Sequence, residues 1–391
     1  MPQEQSLEEQ SINTIRFLAA DAIQKANSGH PGLPMGTAAL TYVLWSEHLK
    51  HNPKNPSWSN RDRFILSGGH GSMLLYAMLH LTGYDLSLDE LKNFRQWGSL
   101  TPGHPEVGLT PGVETTTGPL GQGFANGVGF AMAEAHLAAI FNKPDFPIID
   151  HYTFALVTDG DLMEGVTSEA ASLAGHLKLG KLIYLYDDNR ISIEGSTDLA
   201  FTEDRAARFI SYNWHVIKVA DGNDTAEVNH AIWAAKDDPR PSLIICRTHI
   251  GYGMPNKQDT AAAHGSPPGD AELNAAKEAL GWPVEPRFYI PDEVVEDFQK
   301  QSAAGVLSEK AWDELFQAYE AKYPADAREL KRRLAGELPD KWDIPKFPAD
   351  PKGMATRAAS GKVLNSLAEQ IPEFLGGSAD LAPSTLTWIT G

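Results

Sequence analysis

The stretch Tyr152–Gly195 opens with YTFALVTDGDLMEG and closes with KLIYLYDDNRISIEG. Its first apolar run, Phe154 to Val157, stops abruptly at Thr158-Asp159-Gly160-Asp161, and its second, Leu182 to Leu185, stops at Asp187-Asp188-Asn189. Between them Ala170, Leu173, Ala174 and Leu177 recur at helical spacing, which predicts a helix over 164–179. Strand, crossover helix and strand make a parallel pair, and α/β sheets bind ligands at the carboxyl ends of such strands. A carboxylate, Asp159, and an amide oxygen, Asn189, therefore stand at adjacent strand ends, with Gly160 letting the backbone approach closely. Hard oxygen donors with open positions suit Mg²⁺ or Ca²⁺ carrying a phosphorylated ligand. The plainer reading of either residue alone is a solvated strand end or an Asn-containing turn.

Working outward, the chain has 391 residues, room for one large or two ordinary domains. A hydrophobic share of 42% and a charged share of 21% predict a packed core rather than disorder. A formal net charge of −18 argues against a general nucleic-acid or anionic-membrane surface. Cys246, the one cysteine, lies inside the apolar run LIIC and reads as a small buried side chain. The start MPQEQSLEEQ has no basic segment or apolar core of a signal peptide, and no uninterrupted apolar run reaches membrane-spanning length. A cytoplasmic α/β protein is expected.

An amphipathic helix is predicted over 6–27, with Ile12, Ile15, Leu18, Ala19, Ala22 and Ile23 on one face, and a second helix over 36–49. Phe64–Ser67 reads as a strand breaking into Gly68-Gly69-His70-Gly71 and then a helix, a geometry that offers free N–H groups to anions. Pro102–Gly123 is a long Gly/Pro/Thr loop carrying His104, and 250–269 is a second, carrying His264. Further strands are expected at 214–220 and 242–247, and further helices at 202–212, 226–236, 271–280 and 308–334. The domains read as an α/β domain over 1–335, a linker rich in Pro, Asp, Lys and Trp over 336–353, and the start of a second domain over 354–391. That last part is expected to form a helix over 354–370 and a strand over 373–381, too little to bury a core of its own. The ending reads as a cut, with the rest of the second domain missing or supplied by another polypeptide.

The spacing sharpens the central pair, since 27 residues (161–187) separate Gly160 from Asp188, enough for one helix and one strand. The stretch resembles the thiamine diphosphate signature, GDG followed by NN, with Thr158 in place of the first Gly and Asp188 in place of the first Asn. The resemblance widens along the chain to the front of the transketolases. It is carried by SGHPGLPMG (28–36), LSGGHGSMLLY (66–76), TPGHPE (101–106), ETTTGPLGQG (114–123), DGDLMEG (159–165), YDDNRISIEG (186–195), IGYGMPNK (250–257), HGSPPG (264–269), ATRAAS (355–360) and GGSADLAPS (376–384). It implies a parallel sheet flanked by helices, the thiamine diphosphate-binding fold, followed by an incomplete pyrimidine-binding domain.

The resemblance also implies roles. Asp159, Asn189 and the Ile191 carbonyl would hold Mg²⁺ or Ca²⁺. His70 and His264 would contact the cofactor diphosphate, Gly118, Leu120 and Gly160 would approach the cofactor, and Asp380 would lie near its thiazolium. His30, His104 and His264 would serve catalysis by binding substrate hydroxyls and moving protons, and Arg357 and Ser384 would hold the sugar's phosphate. Glu164 would link paired sites in a homodimer. The reaction implied is transfer of a two-carbon ketol unit from a phosphorylated ketose to an aldose phosphate. The glutamate that protonates the cofactor in this family lies beyond residue 391, so the isolated chain is expected to be inactive without a C-terminal half. Departures include Ala261-Ala262-Ala263, where relatives often carry polar residues. A dihydroxyacetone synthase-like ketol transferase would share nearly all these motifs, and a non-catalytic assembly or regulatory protein is the reading from a different class. The G-x-x-G-x-G run at 118–123 has the wrong spacing and setting for a dinucleotide site.

Overall fold

The computed structural model describes residues 5–349 and 351–390. The polar start Met1–Glu4, Asp350 in the expected linker and the final Gly391 lie outside the described residues. Within 5–349 the strands are β1 (Arg63–Leu66), β2 (Thr153–Thr158), β3 (Leu182–Asp188), β4 (His215–Val219) and β5 (Ser242–Arg247). They form one sheet in the order β1-β2-β3-β5-β4, every pair parallel. The predicted parallel sheet flanked by helices is therefore the fold.

Side-chain alternation along the strands divides two cores. Phe64, Leu66, Phe154, Leu156, Ile183, Leu185, Ile244 and Cys246 bury on one face, with helices Gly32–Val43, Ser72–Leu81 and Thr225–Asp237. Ile65, Ala155, Val157, Tyr184, Tyr186, Leu243 and Ile245 bury on the other, against Phe124, Val128, Ala171, Ala174, Phe209 and Trp214. Both faces are covered, so the strands read as continuous apolar runs, as parallel sheets require. Cys246 is fully buried, as its setting implied.

The helix Leu7–Ala26 starts on a capping box, Ser6 and Glu9 each bonding the other's backbone N–H. The expected single apolar face is a correction: every residue from Ser11 to Ile23 is buried. Ile12, Ile15 and Leu18 join the main core, while Phe17 and Ala20 pack in a third cluster with Met35, Ile250, Ala263 and Trp282. A helix with neighbours on both sides needs no polar stripe. The crossover helix is displaced too. It runs Gly165–Leu177, and Thr167, Ala171, Ala174 and Gly175 face inward while Leu173 and Leu177 are 43% exposed. Gly175 lets the Tyr212 backbone lie where a Cβ would be, so the small residues, not the leucines, mark the packed face.

Other boundaries shift for local reasons. The second helix is Gly32–Val43 and continues as a wider π turn over Leu44–His48. The helix expected at 308–334 is two, Asp292–Lys322 and Pro324–Leu334, because Pro324 cannot continue the first and suits the opening of the second. The helix Gln122–Phe141 is long and apolar enough by composition to cross a bilayer, but it lays Phe124, Val128 and Ala131 onto the sheet and carries buried Glu134, paired with Lys181 at 2.6 Å.

The chain divides into two compact units, 1–314 and 315–391. The second holds the end of helix Asp292–Lys322, then Pro324–Leu334, Thr356–Ala368 and Ala382–Thr385. Arg332 bonds Glu329 and Glu373 there, and Phe316, Tyr319, Ala327, Leu330 and Ile371 are its buried apolar residues. The strand expected at 373–381 does not form: no neighbouring strand bonds it, and Ala379 and Asp380 take positive φ of 40° and 65°.

Candidate functional site

β1, β2 and β3 end side by side, and the segments that follow are drawn together by glycines. A Cβ on Gly160 would stand 2.8 Å from Leu120 Cδ1, and one on Gly69 would stand 2.6 Å from Thr117 Oγ1 and 2.8 Å from the Gly118 nitrogen. The 114–121 segment thus lies directly on the ends of β1 and β2. Half-buried Leu120 covers the Gly160 turn, and Gly118, at φ 146°, backs onto the His104 ring.

The anchor of this arrangement is Asp161, a residue to which the sequence assigns no role. Its Oδ1 accepts from Ser67 Oγ at 2.7 Å and the Gly121 N–H at 2.8 Å. Its Oδ2 accepts from the Thr158 N–H at 2.9 Å and Thr158 Oγ1 at 3.0 Å. One fully buried carboxylate therefore ties β1, the 114–121 segment and β2. A sequence signal does exist, because Thr158-x-x-Asp161 is a capping box opening the short helix Asp159–Met163.

Asp159 contrasts with it two residues away. It is 3% exposed; its Oδ1 takes the Tyr186 hydroxyl and its Oδ2 has no partner. Burial, reinforced by Asp187 and Asp188, pushes its carboxyl up to about 7. Asn189, 6% exposed, donates to Asp187 Oδ2 at 2.9 Å and accepts the Ile191 N–H at 2.9 Å through Oδ1. Thr158 pairs with Asp187 in the β2–β3 ladder, so Asp159 and Asn189 leave adjacent strands within a residue or two of one another. Arg205 reaches Asp188 Oδ1 at 3.2 Å and Thr248 bonds Asp187, and of the three carboxylates Asp159 is the one with a buried oxygen that has no partner. Tyr186 and Arg205 are additions from the structure; nothing in their sequence settings distinguishes them. Among the described residues no group of three or more His, Cys, Asp or Glu is placed to hold a metal. The donor set at the strand ends is instead one carboxylate, one amide oxygen and backbone carbonyls. An orphaned buried carboxylate oxygen among hard oxygens fits Mg²⁺ or Ca²⁺, which complete their shells with water and ligand phosphate.

The four loop histidines gather. His30 lies 5.2 Å from His70 and 5.7 Å from His264 between ring centroids, and His70 and His264 stack at 5.1 Å. His104 is near enough to depress both His30 and His70 electrostatically. Burial, with the neighbouring imidazoles, lowers His30 to about 4 and His70 well below its ordinary value. Burial also lowers His264, and burial with Arg95 lowers His104. Each of these shifts favours the neutral imidazole. His30 Nδ1 and His264 Nδ1 are buried without a partner. Three histidines elsewhere are bonded, His51 to Tyr84 at 3.1 Å, His80 to the Leu86 carbonyl at 2.8 Å and His249 to Asp259 at 2.8 Å, whereas His48 bonds Asn229 through Nε2 at 2.8 Å and also leaves a buried Nδ1 without a partner.

Ile191 follows Asn189 in a tight bridge with Ser196. Glu164 is exposed and caps the crossover helix without a side-chain bond, its Cβ close to Gly121. Arg357, in the first turn of helix Thr356–Ala368, Asp380, and Ser384, in helix Ala382–Thr385, belong to the second unit, where all three are exposed.

Residues 7–339 match the family described as "Transketolase, thiamine diphosphate binding domain". The chain is 54% identical over 387 residues to a transketolase of Halalkalibacterium halodurans, covering 98% of this chain and 58% of that protein. It is 55% identical over 386 residues to transketolase 1 of Escherichia coli, covering 97% and 58% respectively. A transketolase structure from Pichia stipitis, in complex with sedoheptulose-7-phosphate, superposes with a TM-score of 0.96 at 49% identity, covering 99% of this chain and 57% of that one. The transketolase of Leishmania mexicana gives 0.95 at 47%, with the same coverage. The chain thus spans somewhat over half the length of these relatives.

Proposed function

The chain belongs to the transketolase family, and from that premise we propose that it forms the cofactor-holding part of an enzyme moving a two-carbon ketol unit between sugar phosphates. The observation that carries the reading is an unpartnered buried Asp159 oxygen at the carboxyl end of β2 together with the gathered rings of His30, His70 and His264, His70 following the end of β1. Asp159, Asn189 and the Ile191 carbonyl would hold a divalent ion, and His70 and His264 would meet the diphosphate. Thiamine diphosphate supplies the carbanion chemistry that breaks and remakes the carbon–carbon bond when bound.

The chain's own residues orient and move protons. Imidazoles biased toward the neutral form can take a proton from a sugar hydroxyl or donate to a carbonyl oxygen, the parts that fall to His30, His104 and His264. Leu120 and Gly118 shape the apolar approach, and fully buried Asp161 fixes that segment through its bonds to Ser67, Gly121 and Thr158. Arg357 and Ser384 would take the sugar phosphate, and Asp380 would stand by the thiazolium. Met163, next to Glu164, and Leu173 and Leu177, further along the crossover helix, are exposed apolar residues, which favours pairing of two copies here.

The 391 residues alone should not turn over. Ketol transfer from xylulose 5-phosphate, fructose 6-phosphate or sedoheptulose 7-phosphate is expected once the C-terminal part of the Halalkalibacterium halodurans transketolase, beyond the matched region, is added. Turnover by the isolated chain would overturn the expectation that a glutamate outside these residues is required. Silence of the complemented protein with all three donors, when that relative's own assembly is active, would overturn the reading. Formaldehyde outcompeting aldose phosphates as acceptor would favour a dihydroxyacetone synthase-like enzyme.

A further inference from the structure

Arg16 lies in the middle of helix Leu7–Ala26 and is only 5% exposed. Buried guanidinium groups are ordinarily paired with a carboxylate. This one has three bonds, all to neutral oxygens: Nε to the Met35 carbonyl at 3.0 Å, Nη1 to Asn13 Oδ1 at 2.9 Å, and Nη2 to Asn223 Oδ1 at 2.6 Å. The Tyr252 ring lies 4.5 Å from its central carbon. Among the described residues no carboxylate pairs with it. The other buried cation packed on this helix is treated differently: Lys277 has Asp21 at 2.9 Å, and Arg287 reaches the same carboxylate at 3.3 Å.

Five N–H groups belong to a guanidinium, so three bonds leave two free, one on each terminal nitrogen. Arg16 borders a cavity of about 610 Å³, whose wall also includes Asn13, Asn223 and Tyr252. Glu9, at the same cavity, bonds Ser6 through Oε2 in the helix cap and makes no ion pair with Arg16 among the described residues. Burial lowers Arg16 to about 10 with only Tyr252 opposing, so it stays charged at neutral pH without a counter-ion. The volume falls in the range of small-molecule sites.

We propose that this cavity binds a small organic anion, whose carboxylate or phosphate group the Arg16 guanidinium grips with its two free N–H groups. Planar, bidentate recognition of such groups is what a guanidinium does best. The inference is independent of the cofactor reading, since none of its residues belongs to the strand-end cluster.

Calorimetric titration of malonate and of inorganic phosphate into the 391-residue protein tests it, with Arg16→Gln and Asn13→Asp variants alongside. Asn13→Asp is nearly isosteric and places the missing carboxylate against Nη1, so it satisfies the charge without endangering the fold. At least one probe should bind the unaltered protein at least tenfold more tightly than Asn13→Asp, and folded Arg16→Gln should lose the same binding. Tighter malonate would identify a carboxylate ligand and tighter phosphate a phosphorylated one. Phosphate held at the strand-end site would persist in Asn13→Asp and is subtracted by the comparison. Equal binding of both probes by the unaltered protein and Asn13→Asp would overturn the proposal.

Discussion

Asp161 and Asp159 sit two residues apart on one short helix, both buried, and the molecule uses them in opposite ways. Asp161 has every oxygen occupied by donors from three segments, whereas Asp159 keeps one oxygen bare. The histidines repeat the contrast. His51 is stacked on Tyr84 and bonded to its hydroxyl, while His30 faces other imidazoles with Nδ1 unpartnered. Burial lowers both to about 4, so the pKa shift alone does not separate them. The separating feature is whether the protein completes the group's hydrogen bonding. A closed polar group holds the fold; an open buried one points to a ligand only where several gather at strand ends, as Asp159, His30 and His264 do, since isolated ones such as Ser11 Oγ and Trp45 Nε1 also occur in the core.

The contrast breaks first at Asp161. Asp161→Ala strands four donors in the interior and should cost about 3–5 kcal/mol of stability in urea unfolding. A loss under about 1 kcal/mol would mean the tie is not structural.

The histidines give a smaller effect, read against pH. His51 titrates at about 4 in the folded chain, below its ordinary 6.5, so the unfolded chain takes up the proton first. Its stabilising contribution is complete above about pH 6.5 and disappears as pH falls toward 4. His51→Phe should flatten the stability profile across that window by roughly 2–3 kcal/mol. His30→Gln should flatten it less, because its ring is more exposed to solvent. The reverse ranking, in urea titrations at pH 7 and pH 4.5, would place the stability burden on the cluster instead.

Asp159→Asn should have the smallest effect on folding. It removes a buried charge with an unpaired oxygen, so the ligand-free protein should be unchanged or stabilised by about 1 kcal/mol. Destabilisation comparable to Asp161→Ala would erase the distinction between the two carboxylates.

The sheet was legible in the sequence because buried parallel strands leave continuous apolar runs with abrupt polar ends, as at Val157–Asp159 and Leu185–Asn189. The loop histidines were legible through the glycines and prolines that flank them. Less visible was anything set by distant partners. The leucines of the crossover helix mimic a core stripe, yet Gly175 and the alanines pack inward because the Tyr212 backbone needs the space. Helix Leu7–Ala26 hides its second packed side, since Asn13, Arg16 and Asp21 look like solvent positions until their partners are in place. The 373–381 run has strand-like composition but no strand beside it. Asp161 carried a readable cap signature, although its reach to Ser67 and Gly121 is a property of the fold alone.

The most direct test is calorimetric titration of thiamine diphosphate into the 391-residue protein, with Mg²⁺ and with a chelator, for the unaltered chain and Asp159→Asn. If the bare oxygen of Asp159 exists to grip a divalent ion and through it a diphosphate, binding should require Mg²⁺ and weaken by about a hundredfold or more in the folded variant. Equal affinity in the chelator, or in Asp159→Asn with Mg²⁺, would contradict it.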